Sequence, residues 1–174
     1  MKILAFAAST SSTSINRQLA NHAAAQITDG EVTELDLRQF DLPIYSSDEE
    51  ENQGIPAAAH TFKDLILAHD GIVLSLAEHN GTYSAAFKNL YDWTSRIDAK
   101  VWVDKAMLLL ATSPGARGGV TVLEAAKATF PRMGADLKAD FSLPSFYDNF
   151  SPDKGITDNK LAADLSKAIQ IFCK

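Results

Sequence analysis

Apolar and polar positions along this chain fall into two alternating rhythms. The run Ile3-Leu4-Ala5-Phe6-Ala7-Ala8 is continuous and short, as a strand buried on both faces requires. After a polar stretch, Ile15, Leu19, Ala23 and Ile27 recur every four residues, the stripe of an amphipathic helix. Residues 31 to 37 alternate and predict a half-exposed or edge strand. Pro43 then breaks the pattern into a loop, because proline cannot serve a central ladder. The acidic run Asp48-Glu49-Glu50-Glu51 reads as a solvated loop. Pro56 opens a helix through His69, with Phe62, Leu65 and Ile66 near one face. Further strands are predicted at Ile72–Ala77, Ala106–Thr112 and, briefly, Asp136–Ala139. Helices are predicted over about Ser84–Arg96, Val120–Phe130 and Asp158–Phe172.

Strands that alternate with helices predict an α/β fold with parallel pairing and right-handed crossovers. Five strands in this rhythm give a doubly wound parallel sheet of order 2-1-3-4-5, with helices on both faces. In such sheets ligands sit beyond the carboxyl ends of the strands, at the switch point. Three loops leave those ends, at residues 9 to 14, 78 to 83 and 113 to 119, and all are rich in Ser, Thr, Gly or Asn.

The first loop, Ser9-Thr10-Ser11-Ser12-Thr13-Ser14, carries six hydroxyls in a row and no charge. A strand that passes through a loop into a helix gathers unpaired N–H groups and the positive end of the helix at one place. That place suits an anion, phosphate above all. Ser14 or Thr13 could equally serve as the N-cap that any helix start favours, but six hydroxyls exceed what capping needs.

Composition narrows the function. Hydrophobic residues make up 46% and charged residues 22% of the 174, ordinary for a globular chain. This length predicts one domain, 1–174. The net charge of −6, with no basic cluster, argues against nucleic acid or an anionic membrane as partner. Cys173 is the only cysteine, so no disulfide framework exists and a reducing compartment fits. The six-residue apolar run at the start is too short for a signal-peptide core, and no run reaches transmembrane length. The expectation is cytoplasmic. His22, His60 and His69 show no metal-ligand spacing, and no metal is expected.

Taken together, the three loops resemble the NADPH-dependent FMN reductase family, short flavodoxin-like flavoproteins that include quinone, azo-dye and chromate reductases. The family's first loop reads roughly Gly-Ser-x-Arg-x-x-Ser-x-Asn, and this chain has Ala8-Ser9-Thr10-Ser11-Ser12-Thr13-Ser14-Ile15-Asn16. Its second signature, Pro-Glu-Tyr-Asn-Gly followed by Lys-Asn and Asp-Trp, stands here as Ala77-Glu78-His79-Asn80-Gly81, then Lys88-Asn89 and Asp92-Trp93. Leu42-Pro43-Ile44-Tyr45 is similar to the family's Leu-Pro-x-Tyr. Ser113-Pro114-Gly115-Ala116-Arg117-Gly118-Gly119 is similar to its Ser-x-Gly-x-x-Gly-Gly.

The resemblance implies a flavodoxin-like FMN-binding domain. It puts the FMN phosphate at Ser9, Ser11, Ser12, Ser14, Ile15 and Asn16. The ring lies between Glu78, His79, Asn80 and Gly81 on one side and Ser113, Gly115 and Gly118 on the other. The N–H groups near Asn80 and Gly81 face the ring edge where charge develops on reduction. The implied reaction carries hydride from NAD(P)H through FMN to a quinone, free flavin or similar small-molecule acceptor, in ping-pong order. The flavin supplies the chemistry, so no catalytic side chain is named. Ser11 stands where the family has arginine. That loses a charge-assisted bond and could weaken FMN roughly ten- to a hundredfold, with Ser11 and Ser12 offering donors in partial compensation. His79 beside Glu78 could suggest a general base, though a locally packed loop histidine explains it as well. Arg117 could meet a 2′-phosphate or be a surface arginine. Phe87, Tyr91 and Trp93 are core or subunit interface, and a homodimer or homotetramer is implied. The alternatives are a flavodoxin-like binding module without flavin turnover and a one-electron FMN carrier.

Overall fold

A computed structural model describes all 174 residues. The strands are β1 (Lys2–Ala8), β2 (Glu31–Leu35), β3 (Gly71–His79), β4 (Thr82–Tyr83), β5 (Lys105–Thr112), β6 (Ala135–Leu143), β7 (Phe150–Ser151) and β8 (Gly155–Ile156). The helices are α1 (Ile15–Ala24), α2 (Ser47–Gln53), α3 (Ala57–Ala68), α4 (Ala85–Ile97), α5 (Val120–Thr129), α6 (Phe146–Asn149) and α7 (Asn159–Phe172). No helix is long and apolar enough to cross a membrane.

The central sheet has six strands. Five are parallel in the order β2-β1-β3-β5-β6, and β4 pairs antiparallel with β3. The expected five-stranded order 2-1-3-4-5 is corrected to 2-1-3-5-6, because Thr82–Tyr83 adds a strand after β3. Its cause is local: Asn80 (φ 52°) and Gly81 (φ 77°) both sit at positive φ between the paired residues His79 and Thr82. That is the two-residue I′ turn for which Asn-Gly is the strongest sequence signal.

β1 shows why its run is unbroken. Ile3 and Ala5 pack on one face of the sheet with α1 and α7. Leu4 and Phe6 pack on the other with α3, α4 and α5. β6 extends well past the predicted Ala139. As an edge strand it turns Asp136, Lys138 and Asp140 to solvent, which discourages pairing with other chains.

One further expectation is corrected, and one pair of alternatives is resolved. The acidic run lies in α2 rather than in a loop. Ser46 Oγ accepts from Glu49 N at 3.0 Å, and Asp48, Glu49 and Glu50 sit in the first turn, where the helix dipole favours negative charge. Phe87 and Trp93 are wholly buried and Tyr91 nearly so; they are core residues of this chain, so a subunit interface gains no support from them. Trp93 Nε1 donates to Pro43 O at 2.8 Å and Asn89 Nδ2 to the same oxygen at 2.9 Å, which holds the Leu42–Tyr45 turn against α4.

The β7–β8 hairpin, unforeseen in the sequence, lies against α1. Phe150 meets the His22 ring edge-on at 5.5 Å, and a Cβ on Gly155 would overlap that ring. Burial pushes the His22 pKa below its ordinary 6.5. The unfolded chain therefore binds a proton that the folded chain resists, and stability falls as pH drops through 6.5 and below. The urea midpoint is expected to fall more between pH 7.5 and 5.5 in the wild type than in His22→Gln. Equal pH slopes would disprove this reading of the hairpin contact.

Candidate functional site

The hydroxyl loop links the end of β1 to the start of α1, and its own bonds shape it. Ser9 Oγ accepts from Ser11 N at 3.2 Å. Ser14 caps α1, its Oγ accepting from Arg17 N at 3.2 Å, and Ser14 N donates to Ser11 O at 3.2 Å. Capping and anion binding are compatible here, because an accepting hydroxyl keeps its own proton to donate. The N–H groups of Ser12, Thr13, Ile15 and Asn16 meet no acceptor in the chain. They are the orphan donors of a loop and helix start. Arg17 turns away from them. It bonds Ser12 O and lies 3.8 Å from Asp36. The Asp36 carboxyl is held down at about 2, first by its hydrogen bond from Arg38.

Asn16 ties the loop to the sheet. Its Oδ1 accepts from Ser75 Oγ at 2.7 Å and Thr112 N at 3.1 Å, and its Nδ2 donates to Thr112 O at 3.1 Å. The residue is buried, so α1, β3 and β5 are clamped at their ends by one amide. Ser84, the N-cap of α4, donates to Ala8 O at 2.8 Å and fixes the other flank of the loop.

The second loop is the β3–β4 turn. The N–H groups of Asn80 and Gly81 have no acceptor in the chain. Glu78 Oε2 accepts from Val122 N at 3.0 Å, so its carboxylate serves the first turn of α5. His79 is exposed and its imidazole makes no hydrogen bond in the chain, so neither a Glu78–His79 base nor a locally bonded imidazole is found. In the third loop Gly118 (φ 58°) cannot carry a side chain: its Cβ would overlap Ser142 Oγ and come within 2.9 Å of the Leu143 carbonyl carbon. Gly115 has no such demand, and a Cβ there would meet nothing nearer than Ser113 Oγ at 3.9 Å. Arg117 donates to Thr121 Oγ1 at 3.0 Å on the exposed start of α5.

The three loops converge on an open cleft of about 240 Å³. Of the expected residues, Ser9, Ser11, Ser14, Ile15, Asn16, Glu78, His79 and Ser113 line it. Ser12, Asn80, Gly81, Gly115 and Gly118 stand in the same loops but outside that lining. Tyr147 lines it too and had no sequence expectation, because it lies on a segment that was not read as ordered. The signal was Pro144-Ser145, a turn pair directly after an apolar strand end. No three His, Cys, Asp or Glu side chains converge as a metal site would need.

The chain matches the NADPH-dependent FMN reductase family over residues 1–147. It is 33% identical over 122 residues to an NADPH:quinone oxidoreductase of Arabidopsis thaliana, covering 68% of this chain and 61% of that protein. It is 32% identical over 120 residues to an NADPH azoreductase of Bacillus sp. (strain OY1-2), covering 69% and 63%. The matches thus span less than two thirds of these relatives' own lengths. Among solved structures, the flavoenzyme NAD(P)H:(acceptor) oxidoreductase FerB of Paracoccus denitrificans superposes with a TM-score of 0.77 at 24% identity, covering 98% of this chain and 94% of that one. At that identity the likeness speaks for the fold. With the family match running from β1 to the first turn of α6, and so through all three loops, this chain belongs to the NADPH-dependent FMN reductase family.

Proposed function

We propose that this chain is an FMN-dependent oxidoreductase that passes hydride from NAD(P)H to a quinone or similar small acceptor. The observation that carries the reading is the set of unpartnered N–H groups of Ser12, Thr13, Ile15 and Asn16 at the head of α1, the last three on residues that line a cleft walled by the other two loops. These donors and the surrounding hydroxyls suit a phosphate with an organic group behind it. Bound FMN would supply the hydride chemistry.

The chain's residues would do the rest. Ser9, Ser11, Ser12 and Ser14 offer hydroxyls, and Ile15 offers its N–H. Asn16 offers its N–H while its amide keeps the loop in place. Asn80 and Gly81 present two free N–H groups fixed by the I′ turn, which would stabilise negative charge on a nearby ring edge without reorganisation. His79 and Ser113 flank the space where a ring would lie, and Gly118 shapes the third loop. No side chain here is poised as acid or base. NAD(P)H and the acceptor would use the same open face in turn. The reading takes 1–174 as one FMN-binding domain, in a cytoplasmic setting that accords with a single unpaired cysteine.

The test is to saturate the purified protein with FMN, remove the excess by gel filtration and record the visible spectrum. NAD(P)H oxidation with and without a quinone follows. A near-stoichiometric flavin band and quinone-dependent NAD(P)H oxidation are expected. Lack of retained flavin, with no quench of FMN fluorescence at micromolar protein, would leave only a binding module for another ligand. Retained flavin without NAD(P)H oxidation would leave a one-electron carrier.

A further inference from the structure

We infer that Tyr147 closes the phosphate end of the cleft, its phenol hydroxyl donating to the phosphate of bound FMN. This rests on the FMN reading above. Tyr147 borders the same cleft as Ser9, Ser11, Thr13 and Ser14, yet it comes from the far side of the sheet, beyond β6. Its side chain is 71% exposed and its hydroxyl has no partner in the chain.

The exposure does not come from a loose segment. Ser145 N donates to Gly115 O at 2.9 Å and Phe146 N to Ser113 O at 3.0 Å, so the third loop and this segment brace one another. Asn149 Nδ2 donates to Pro144 O at 2.9 Å. Phe146 is buried and stacks on Phe150 at 4.7 Å. Ser145 adopts φ 44°, ψ 60°, a left-handed conformation that is costly for a residue with a Cβ. This bend sends Phe146 into the core and leaves Tyr147 at the cleft. A strained residue that delivers an exposed ring to a polar cleft is better explained by a ligand than by packing.

The electrostatics agree. No lysine or arginine lines the cleft, because Arg17 is spent on Ser12 O and Asp36. A phosphate there meets only neutral donors and the dipole of α1. Among neutral hydroxyls a phenol O–H is a stronger donor than an aliphatic one, so its bond to an anion is the strongest of the set. Tyr147 thereby supplies part of what a loop cation would.

Riboflavin, which lacks the phosphate, separates this role from simple ring contact. Fluorescence-quench titrations of wild type, Tyr147→Phe and Tyr147→Ala would compare FMN with riboflavin, with the melting temperature of each variant checked. Tyr147→Phe is expected to weaken FMN about tenfold while riboflavin stays within about twofold. Equal losses for the two ligands, or no loss in Tyr147→Phe, would overturn the inference while leaving the FMN reading intact. A wild type that binds neither ligand would instead sink the FMN reading, and this inference with it.

Discussion

Asn16→Ala is expected to lower the unfolding free energy by about 3–5 kcal/mol, because it strands three buried partners at once. Ser75 Oγ, Thr112 N and Thr112 O each lose their bond to the amide. An unsatisfied buried polar group costs roughly 1–3 kcal/mol, and partial rehydration keeps the sum below the full total. For a chain of this size the melting temperature should fall by about 10 °C. Ser75→Ala is the control. It removes one donor while Asn16 Oδ1 still accepts from Thr112 N, so about 1 kcal/mol is expected. Urea unfolding of both variants decides the matter, and equal losses would mean that Asn16 is not a three-way clamp. Asn16→Ala should also weaken FMN binding, since the head of α1 would lose its tie to the end of β5.

Gly118→Ala is the second large effect, expected at about 3 kcal/mol. Part comes from forcing a Cβ to φ 58° and part from overlap with Ser142 Oγ and the Leu143 carbonyl. Gly115→Ala, three residues earlier, should leave stability within about 0.5 kcal/mol, because its Cβ has open space. Thermal unfolding by circular dichroism would compare the two. Pairing Gly118→Ala with Ser142→Gly should restore part of the loss but not all, since the Leu143 backbone still obstructs. Full rescue would place the whole clash on the Ser142 side chain.

What could be read from the sequence follows from which faces are buried. β1, β3 and β5 are covered on both sides by helices, so their apolar runs are continuous and announced the α/β plan and the three loops. β6 has one edge in water, and the charge at Asp140 breaks its pattern just where the predicted strand stopped. β4 is two residues long, too short for any periodicity, although Asn80-Gly81 marked its turn. In α2 the Ser46-x-x-Glu49 capping pair is present, but four consecutive acidic residues, with no apolar stripe beside them, mask the helix. At the site, the hydroxyl loop and Asn16 stood out by type and order. That the Asn16 side chain is used inward depends on the approach of β3 and β5, at 59 and 96 residues' separation. Tyr147 was harder to place: Pro144-Ser145 marks a turn, but not the left-handed conformation at Ser145 on which the position of Tyr147 hangs.

The bracing of the third loop by Ser145 and Phe146 also sets an order in time. A chain made from its N-terminus presents β1, β3 and β5 first and can begin to pair them. The Ser113 and Gly115 carbonyls must wait for amides some thirty residues downstream. The cleft therefore takes its final shape only after β6 has docked and the chain has turned at Ser145. A ligand of this cleft would then meet three strands that are already paired, rather than nucleate their pairing.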